Sequence, residues 1–293
     1  MTIDLHIADT AVAPVSAVTS FTRRRGWLGR AMVHALMIFL AFVAIFPVYW
    51  MLVSSFKAEN EIFSTDLWPQ SPSLENYSFV LKSIPMLRMI VNSTVVSLAT
   101  AALQVLTGLL AAYALVRWKF RLSNFIYGAI TLSWLVPFQV TMIPNYVLAS
   151  KMGLLNTLPG LIIPHVAAAF AVMMLFHAMK SFPQEVLESA RLDGAKHWAI
   201  LWEIVVPNLK ASLASIAILA FISAWNDYFW PLLLSRSMEQ SVVQIGLQMF
   251  MTQEGNLWGP LMAASTMASL PILLIYLVMQ RQIVQSFMQS GLR

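Results

Sequence analysis

The chain of 293 residues contains no cysteine. That excludes disulfides, thiolate nucleophiles and cysteine metal sites, and it leaves the redox compartment unreadable. Charge is scarce as well: Asp, Glu, Lys and Arg make up 11% of the chain, where a soluble domain carries about 25%. Three signatures of catalysis are also missing. Without GxxxxGK[ST] there is no P-loop, so ATP is not bound in that manner. Without HExxH a zincin-type metal site is unsupported, and His34, His165 and His177 stand isolated in the sequence. Without GxSxG that serine-hydrolase signature falls away. No internal repeat and no low-complexity tract is visible.

Hydrocarbon takes the place of charge. Hydrophobic residues are 59% of the chain, and the mean hydropathy is +0.72. One aqueous core does not bury that much apolar surface, so the solvent must be lipid. Apolar runs lie near 31–51, 89–116, 123–149, 157–179, 209–233 and 260–280. Each is near or above the roughly 20 residues that cross a bilayer as a helix. Only a helix satisfies its backbone within one such run, so the expected fold is an all-α integral membrane protein with six transmembrane helices. Pro137, Pro144 and Pro164 predict kinks or broken ends in the third and fourth runs. The 18 methionines read as adaptable packing.

The net charge of +5 does not indicate nucleic acid, because the basic residues cluster at the ends of the apolar runs. One side collects Arg23, Arg24, Arg25 and Arg30, then Arg117, Lys119 and Arg121, then Lys180, Arg191, Lys196 and Lys210, then Arg281 and Arg293. The other has Lys57, Lys82, Arg88, Lys151 and Arg236. The richer side is expected to be cytoplasmic, with both termini inside. Residues 1–22 are polar and aperiodic and are expected to be flexible. TRRRGWL faintly resembles a twin-arginine export signal, but the following run is too long for a signal peptide and leads into bulky Phe46, Pro47 and Trp50.

The segment 181–207 sits between the fourth and fifth runs and stays polar. Ser181 and Gln184 predict a capping box, with Pro183 in the first turn and a helix to about Leu192. Gly194 permits a turn. A second helix then carries Trp198, Leu201, Trp202 and Val205 on one face and ends at Pro207. Composition alone is compatible with an interfacial helix pair anchored by its tryptophans. The alternative is a docking knob for a cytoplasmic partner.

ESARLDGAKHWAILWEIVVP (188–207) resembles the EAA loop of ABC-importer permeases. That motif has Glu-Ala-Ala, then Gly after three intervening residues, then Ile and Pro after a fixed gap. Glu188, Ser189, Ala190, Asp193, Gly194, Ile204 and Pro207 occupy the positions, with Ser189 replacing the usual Ala. SSFK (54–57), WPQSPSLENY (68–77), NST (92–94), AAYALVRWKF (111–120), PFQVTMIPNY (137–146) and WNDYFWPLL (225–233) extend the likeness over nearly the whole chain. The family it resembles is the carbohydrate-uptake permeases of ABC importers, of the maltose-transporter and glycerol-phosphate permease type. The resemblance implies a type I importer permease fold. Residues 23–293 would form the transmembrane permease domain, in a bacterial cytoplasmic (inner) membrane. It further implies a second, different permease subunit, a homodimeric or paired ABC ATPase seated on the coupling loop, and an extracytoplasmic solute-binding protein. ATP and Mg would then belong to the partner ATPase, with no cofactor and no metal on this chain. The solute would be a sugar, a polyol or a sugar-like phosphate or sulfonate. The competing classes are a permease for a non-sugar solute and an ion-coupled carrier. The chain stops at SGLR, where many members have a longer Gly- and Ala-rich tail, which leaves no basis for a tail contact with the ATPase.

Within the apolar runs the polar candidates for a translocation path are Asn92, Gln139, Asn145 and Asn226, which serve equally as hydrogen-bonding glue between helices. Asp227 is the one acid in or beside an apolar run, and is expected near the outer interface, solvated between Trp225 and Trp230.

Overall fold

The computed structural model describes residues 27–118, 120–252 and 255–291. The chain divides into two compact units, one ending at Val48 and one beginning at Tyr49. The arginines at 23–25, Lys119 and Arg293 lie outside the described residues, as does the side chain of Arg281.

The first unit is most of helix α1 (Trp27–Ser54). From Met32 to Val48 almost every large apolar side chain is exposed, including Leu36, Ile38, Phe42 and Ile45. Water would not tolerate such a surface, but a bilayer solvates it. Pro47 lies inside this helix.

The second unit opens with a polar loop holding a short 3-10 turn at Glu59–Glu61. It continues through α2 (Glu75–Ser83) into α3 (Met86–Arg117). Helix α3 is the axis of the unit. It packs against α7 (Ala169–Lys180) and α11 (Lys210–Trp225). A Cβ on Gly108 would meet the Ala171 Cβ at 3.0 Å, so α3 and α7 cross as closely as small residues allow. The last helix, α14 (Trp258–Gly291), packs on α11 and α2.

Three helices are long and apolar enough to span a membrane alone: Gly29–Ser54, Met86–Arg117 and Trp258–Gln280. Three bent pairs would do so as units. The first pair is α4 (Ser123–Trp134) and α5 (Phe138–Lys151), bent by 97°. Its break falls at Pro137, whereas Pro144 lies inside α5. In the second pair, α6 (Leu158–Ile162) runs into a 3-10 turn at Ile163–His165 and meets α7 at 46°. Pro164 sits in that turn. The third pair differs from expectation. The helix of the fifth run stops at Trp225, and Phe229–Leu234 forms a separate short helix, α12. The partner across the 79° bend is instead His197–Asn208, the end of the polar segment.

The segment between α12 and α14 is not a plain outer loop. It holds α13 (Val243–Gln248) and a two-residue antiparallel pair, β1 (Met251–Thr252) with β2 (Gly255–Asn256). Asn92 and Ser93 of α3 fasten this segment. The Asn92 amide donates to the carbonyls of Glu239 and Ser241, both at 2.8 Å, and the Ser93 hydroxyl accepts from the Val243 amide.

Candidate functional site

The polar segment begins with α8 (Gln184–Leu192). The expected capping box does not form at its N-terminus. Pro183 is the cap residue and provides no side-chain bond. The Ser181 hydroxyl donates back to the Ala178 carbonyl at 2.9 Å, which closes the preceding helix instead. The Gln184 side chain lies outside the described residues. The C-terminus follows the sequence reading. Gly194 has φ +82°, Gly194 N–H donates to Arg191 O, and Ala195 N–H donates to Ala190 O. These are the two bonds of a Schellman end, and the positive φ is what requires glycine.

Ala190 and Leu187 pack into the bundle, while Glu188, Ser189, Asp193 and Gly194 are exposed. The second element is His197–Ala199 (α9), a π-helical stretch Ile200–Val205, and Val206–Asn208 (α10). The wider π turn separates residues that an α-helix would align. Leu201 and Val205 are buried, whereas Trp198 and Trp202 are exposed, so the expected single apolar face is divided. Ile204 is half-buried and its carbonyl accepts from the Asn208 amide at 2.7 Å, while Pro207 is exposed before the 79° bend. The Tyr113 hydroxyl of α3 donates to the His197 carbonyl at 3.1 Å and ties the element to the bundle.

A second arrangement lies where the spanning pairs break. Thr100 and Gln104 of α3, Phe138, His165, Ser223 and Asp227 line a cavity of about 320 Å³. Three of its walls are backbone breaks: the bend before Phe138, the turn at His165, and the gap after Trp225. Irregular backbone at membrane depth persists where protein encloses it or where it lines a cavity. Gln104 donates to the His165 carbonyl and Thr107 to the Val166 carbonyl, both at 2.8 Å, which holds the turn against α3. Trp230 is fully buried; its indole N–H donates to the Gly160 carbonyl at 3.1 Å. The His165, Phe138 and Trp230 rings form a triangle, with centroids 5.8 Å (His165–Phe138), 6.2 Å (His165–Trp230) and 6.1 Å (Phe138–Trp230) apart.

Asp227 and His165 therefore meet, which corrects two expectations. Asp227 is not simply solvated, since its carboxylate is 3.8 Å from His165 Nε2 and accepts weakly from the Trp230 amide at 3.4 Å. Nor is His165 isolated. His177 also has a neighbour, the Tyr127 hydroxyl at 2.9 Å. The separation to Asp227 is too long for a hydrogen bond, and His165 Nε2 and Thr100 Oγ1 have no hydrogen-bond partner among the described residues.

None of the four amide side chains read from the sequence lines this cavity. Asn92 is buried and acts as glue. Gln139 is exposed and Asn145 half-buried. Asn226 is exposed, donates to the Ile222 carbonyl at 2.9 Å and accepts from Gln244. The usable signals were Pro164, which marks a break beside His165, and the acid of WNDYFW, Asp227, which lies far from His165 in sequence.

Continuous and broken apolar helices with a polar cavity at the breaks fit a membrane transport component. Residues 104–289 match the family model described as "Binding-protein-dependent transport system inner membrane component", and the chain belongs to that family. It is a permease subunit of an ABC importer, a transport component and not an enzyme. The lactose transport system permease protein LacG of Rhizobium radiobacter is 30% identical over 250 residues, covering 85% of this chain and 92% of the relative. The sn-glycerol-3-phosphate transport system permease protein UgpE of Yersinia pestis is 28% identical over 267 residues, covering 88% and 95%. In fold the chain is similar to a bacterial ABC transporter involved in the import of the acidic polysaccharide alginate. That likeness has a TM-score of 0.77 at 23% identity and covers 90% of this chain and 100% of the other.

Proposed function

We propose that this permease carries an uncharged, hydroxyl-rich solute, a sugar or polyol, inward across the cytoplasmic membrane. The observation that carries the reading is the cavity at the helix breaks. It is lined by Ser223, the His165 ring and the Asp227 carboxylate beside the Phe138 face, with Thr100 Oγ1 and His165 Nε2 shielded from solvent but unpartnered among the described residues. Hydroxyls need donors and acceptors, and sugar faces suit aromatic rings. Neither Lys nor Arg lines the cavity, so a phosphate or sulfonate there would meet the Asp227 carboxylate with only the His165 ring to offset it. LacG and UgpE carry names from the sugar and sugar-phosphate classes, and the cavity favours the first. Gln139 and Asn226, exposed beside Phe138 and Asp227, and Asn145 extend the path toward solvent.

Energy comes from a paired ATPase that holds ATP and Mg. It seats on the exposed Ser189, Asp193 and Gly194 with Glu188 at the edge of that surface, while Ala190 packs the loop against the bundle and Ile204 and Pro207 set the bend that passes motion into α11. A second, different permease completes the pore, and an extracytoplasmic binding protein delivers the solute. Both termini lie in the cytoplasm, with residues 1–22 as a flexible lead-in to one permease domain, 23–293. Transport then requires two states of the bundle with different contacts to solute and ATPase.

Mild-detergent purification of the tagged chain from membranes in which it supports uptake, followed by mass spectrometry, tests this. A P-loop ATPase and a second permease are expected to accompany the chain. Gly194→Val, strained at φ +82°, is expected to lose the ATPase while keeping the second permease. A chain that comes out alone, or a Gly194→Val variant with unchanged ATPase and uptake, overturns the reading.

A further inference from the structure

A separate cavity of about 590 Å³ lies between the end of α3 and α8, with Arg117 on one wall and Arg191 on the other. The Nε atoms of both arginines are shielded from solvent and have no hydrogen-bond partner among the described residues. Glu188 shares the cavity, yet no ion pair forms with either guanidinium among the described residues. Two unpaired guanidiniums against one carboxylate leave a net positive site. The remaining walls are aliphatic or aromatic, including Val116, Met179 and Phe182, and the one hydroxyl among them, that of Tyr113, is engaged with the His197 carbonyl. A simple anion would use the guanidiniums and waste these walls. An amphiphile uses both.

The level of the cavity points the same way. Helix α3 is a spanning helix and ends at Arg117. Trp118 and Phe120 follow it and are 48% and 41% exposed, the pattern of an aromatic belt at headgroup depth. A soluble partner would meet a different side of α8. Val186, Ser189 and Asp193 share a helical stripe and are exposed, and Leu192 beside them is 90% exposed. Arg191 lies off that stripe, with its Nε turned into the bundle.

We propose that this cavity binds the headgroup of an anionic phospholipid, with Arg117 and Arg191 holding the phosphate and the apolar walls receiving the start of an acyl chain. The lipid bridges the end of a spanning helix to α8, which otherwise meet through apolar packing, and so braces the coupling loop. The proposal rests on α3 spanning the membrane and is independent of the solute.

The test is lipid retention. The tagged chain is purified with whatever accompanies it, exchanged into nanodiscs of phosphatidylcholine with or without phosphatidylglycerol, and its bound lipid is quantified by mass spectrometry. The wild type and the control R88Q, an exposed arginine at the other end of α3, are expected to enrich phosphatidylglycerol. In R117Q/R191Q retention is expected to fall about thirtyfold, from the ordinary contribution of two basic residues facing an anionic leaflet. R117K/R191K, which keeps both charges, retains the lipid and separates loss of charge from loss of fold. Equal enrichment in wild type and R117Q/R191Q overturns the proposal, as does loss of enrichment in the lysine pair. Displacement by millimolar inorganic phosphate would assign the site to a free anion and overturn it. So would a glutamine pair that keeps its lipid and loses the ATPase, which would assign the arginines to an acidic protein surface. The lipid readout stands whether or not an ATPase co-purifies, so its failure is distinct from failure of the importer reading.

Discussion

Lys57 and Asp227 are ionisable residues lodged among apolar ones, and their surroundings differ in kind. Lys57 is fully buried. Its ammonium donates to the Ser64 carbonyl at 3.0 Å and the Ser64 hydroxyl at 3.3 Å, and lies 4.4 Å from the centre of the Trp50 ring. Around it Asn76 donates to the carbonyls of Ser55 and Lys57, so the backbone is tied down as well. Asp227 is 28% exposed, faces His165 across 3.8 Å and lines a cavity, and beside it Thr100 Oγ1 and His165 Nε2 are shielded from solvent with no partner among the described residues. Satisfied contacts fix one conformation, whereas unsatisfied ones leave groups that gain a partner when the cavity rearranges. The first belongs to architecture and the second to transport.

The largest effect is expected on the closed side. Lys57→Ala removes two charge-assisted hydrogen bonds and the cation–π contact and leaves a void, at a cost of about 2–4 kcal/mol. Thermal unfolding of the purified protein should show a lowered midpoint, with uptake lost in proportion to folded protein. A variant of normal stability that specifically loses uptake would move Lys57 to the functional side and collapse the contrast.

Asp227→Asn should behave in the opposite way. It keeps the shape and can still accept from the Trp230 amide, so membrane abundance and unfolding midpoint should stay near wild type. Uptake per folded molecule should fall about tenfold, the loss of one charge-assisted contact to a hydroxyl. An unfolding midpoint that drops with uptake unchanged per molecule would make the His165–Asp227 pair a structural clasp.

The sequence made some of this contrast legible and hid the rest for physical reasons. Six apolar runs could be read because lipid imposes a length on anything that crosses it. The end of α8 was equally clear, because Gly194 has one conformational reason to be there. The capping box failed because the helix begins two residues later than the spacing suggested: Pro183 is the cap residue, and Ser181 lies in the end of the preceding helix, where its hydroxyl donates to the Ala178 carbonyl. The π stretch over Ile200–Val205 has no sequence signature, so Trp198 and Trp202 were placed with Leu201 and Val205 although their burial differs. The cavity was least legible. Its groups come from three helix breaks, and His165 meets Asp227 through tertiary packing that no periodicity records. Lys57 looked like an ordinary loop charge for the same reason, since its acceptors at Ser64 depend on how the loop closes.

The smallest expected effect is the most discriminating. Thr100 is 2% exposed, and its hydroxyl has no partner among the described residues. A buried hydroxyl with no partner carries a desolvation cost, so Thr100→Val, which keeps the branched shape, should be neutral or stabilise by up to about 1 kcal/mol. If that hydroxyl serves the solute, the same change should lower uptake a few-fold. Stability and transport would then move in opposite directions at one atom, which no purely structural role produces. A lowered unfolding midpoint with parallel loss of uptake would show that Thr100 is held by the folded bundle in the way Lys57 is, and the open side of the comparison would shrink to the His165–Asp227 pair.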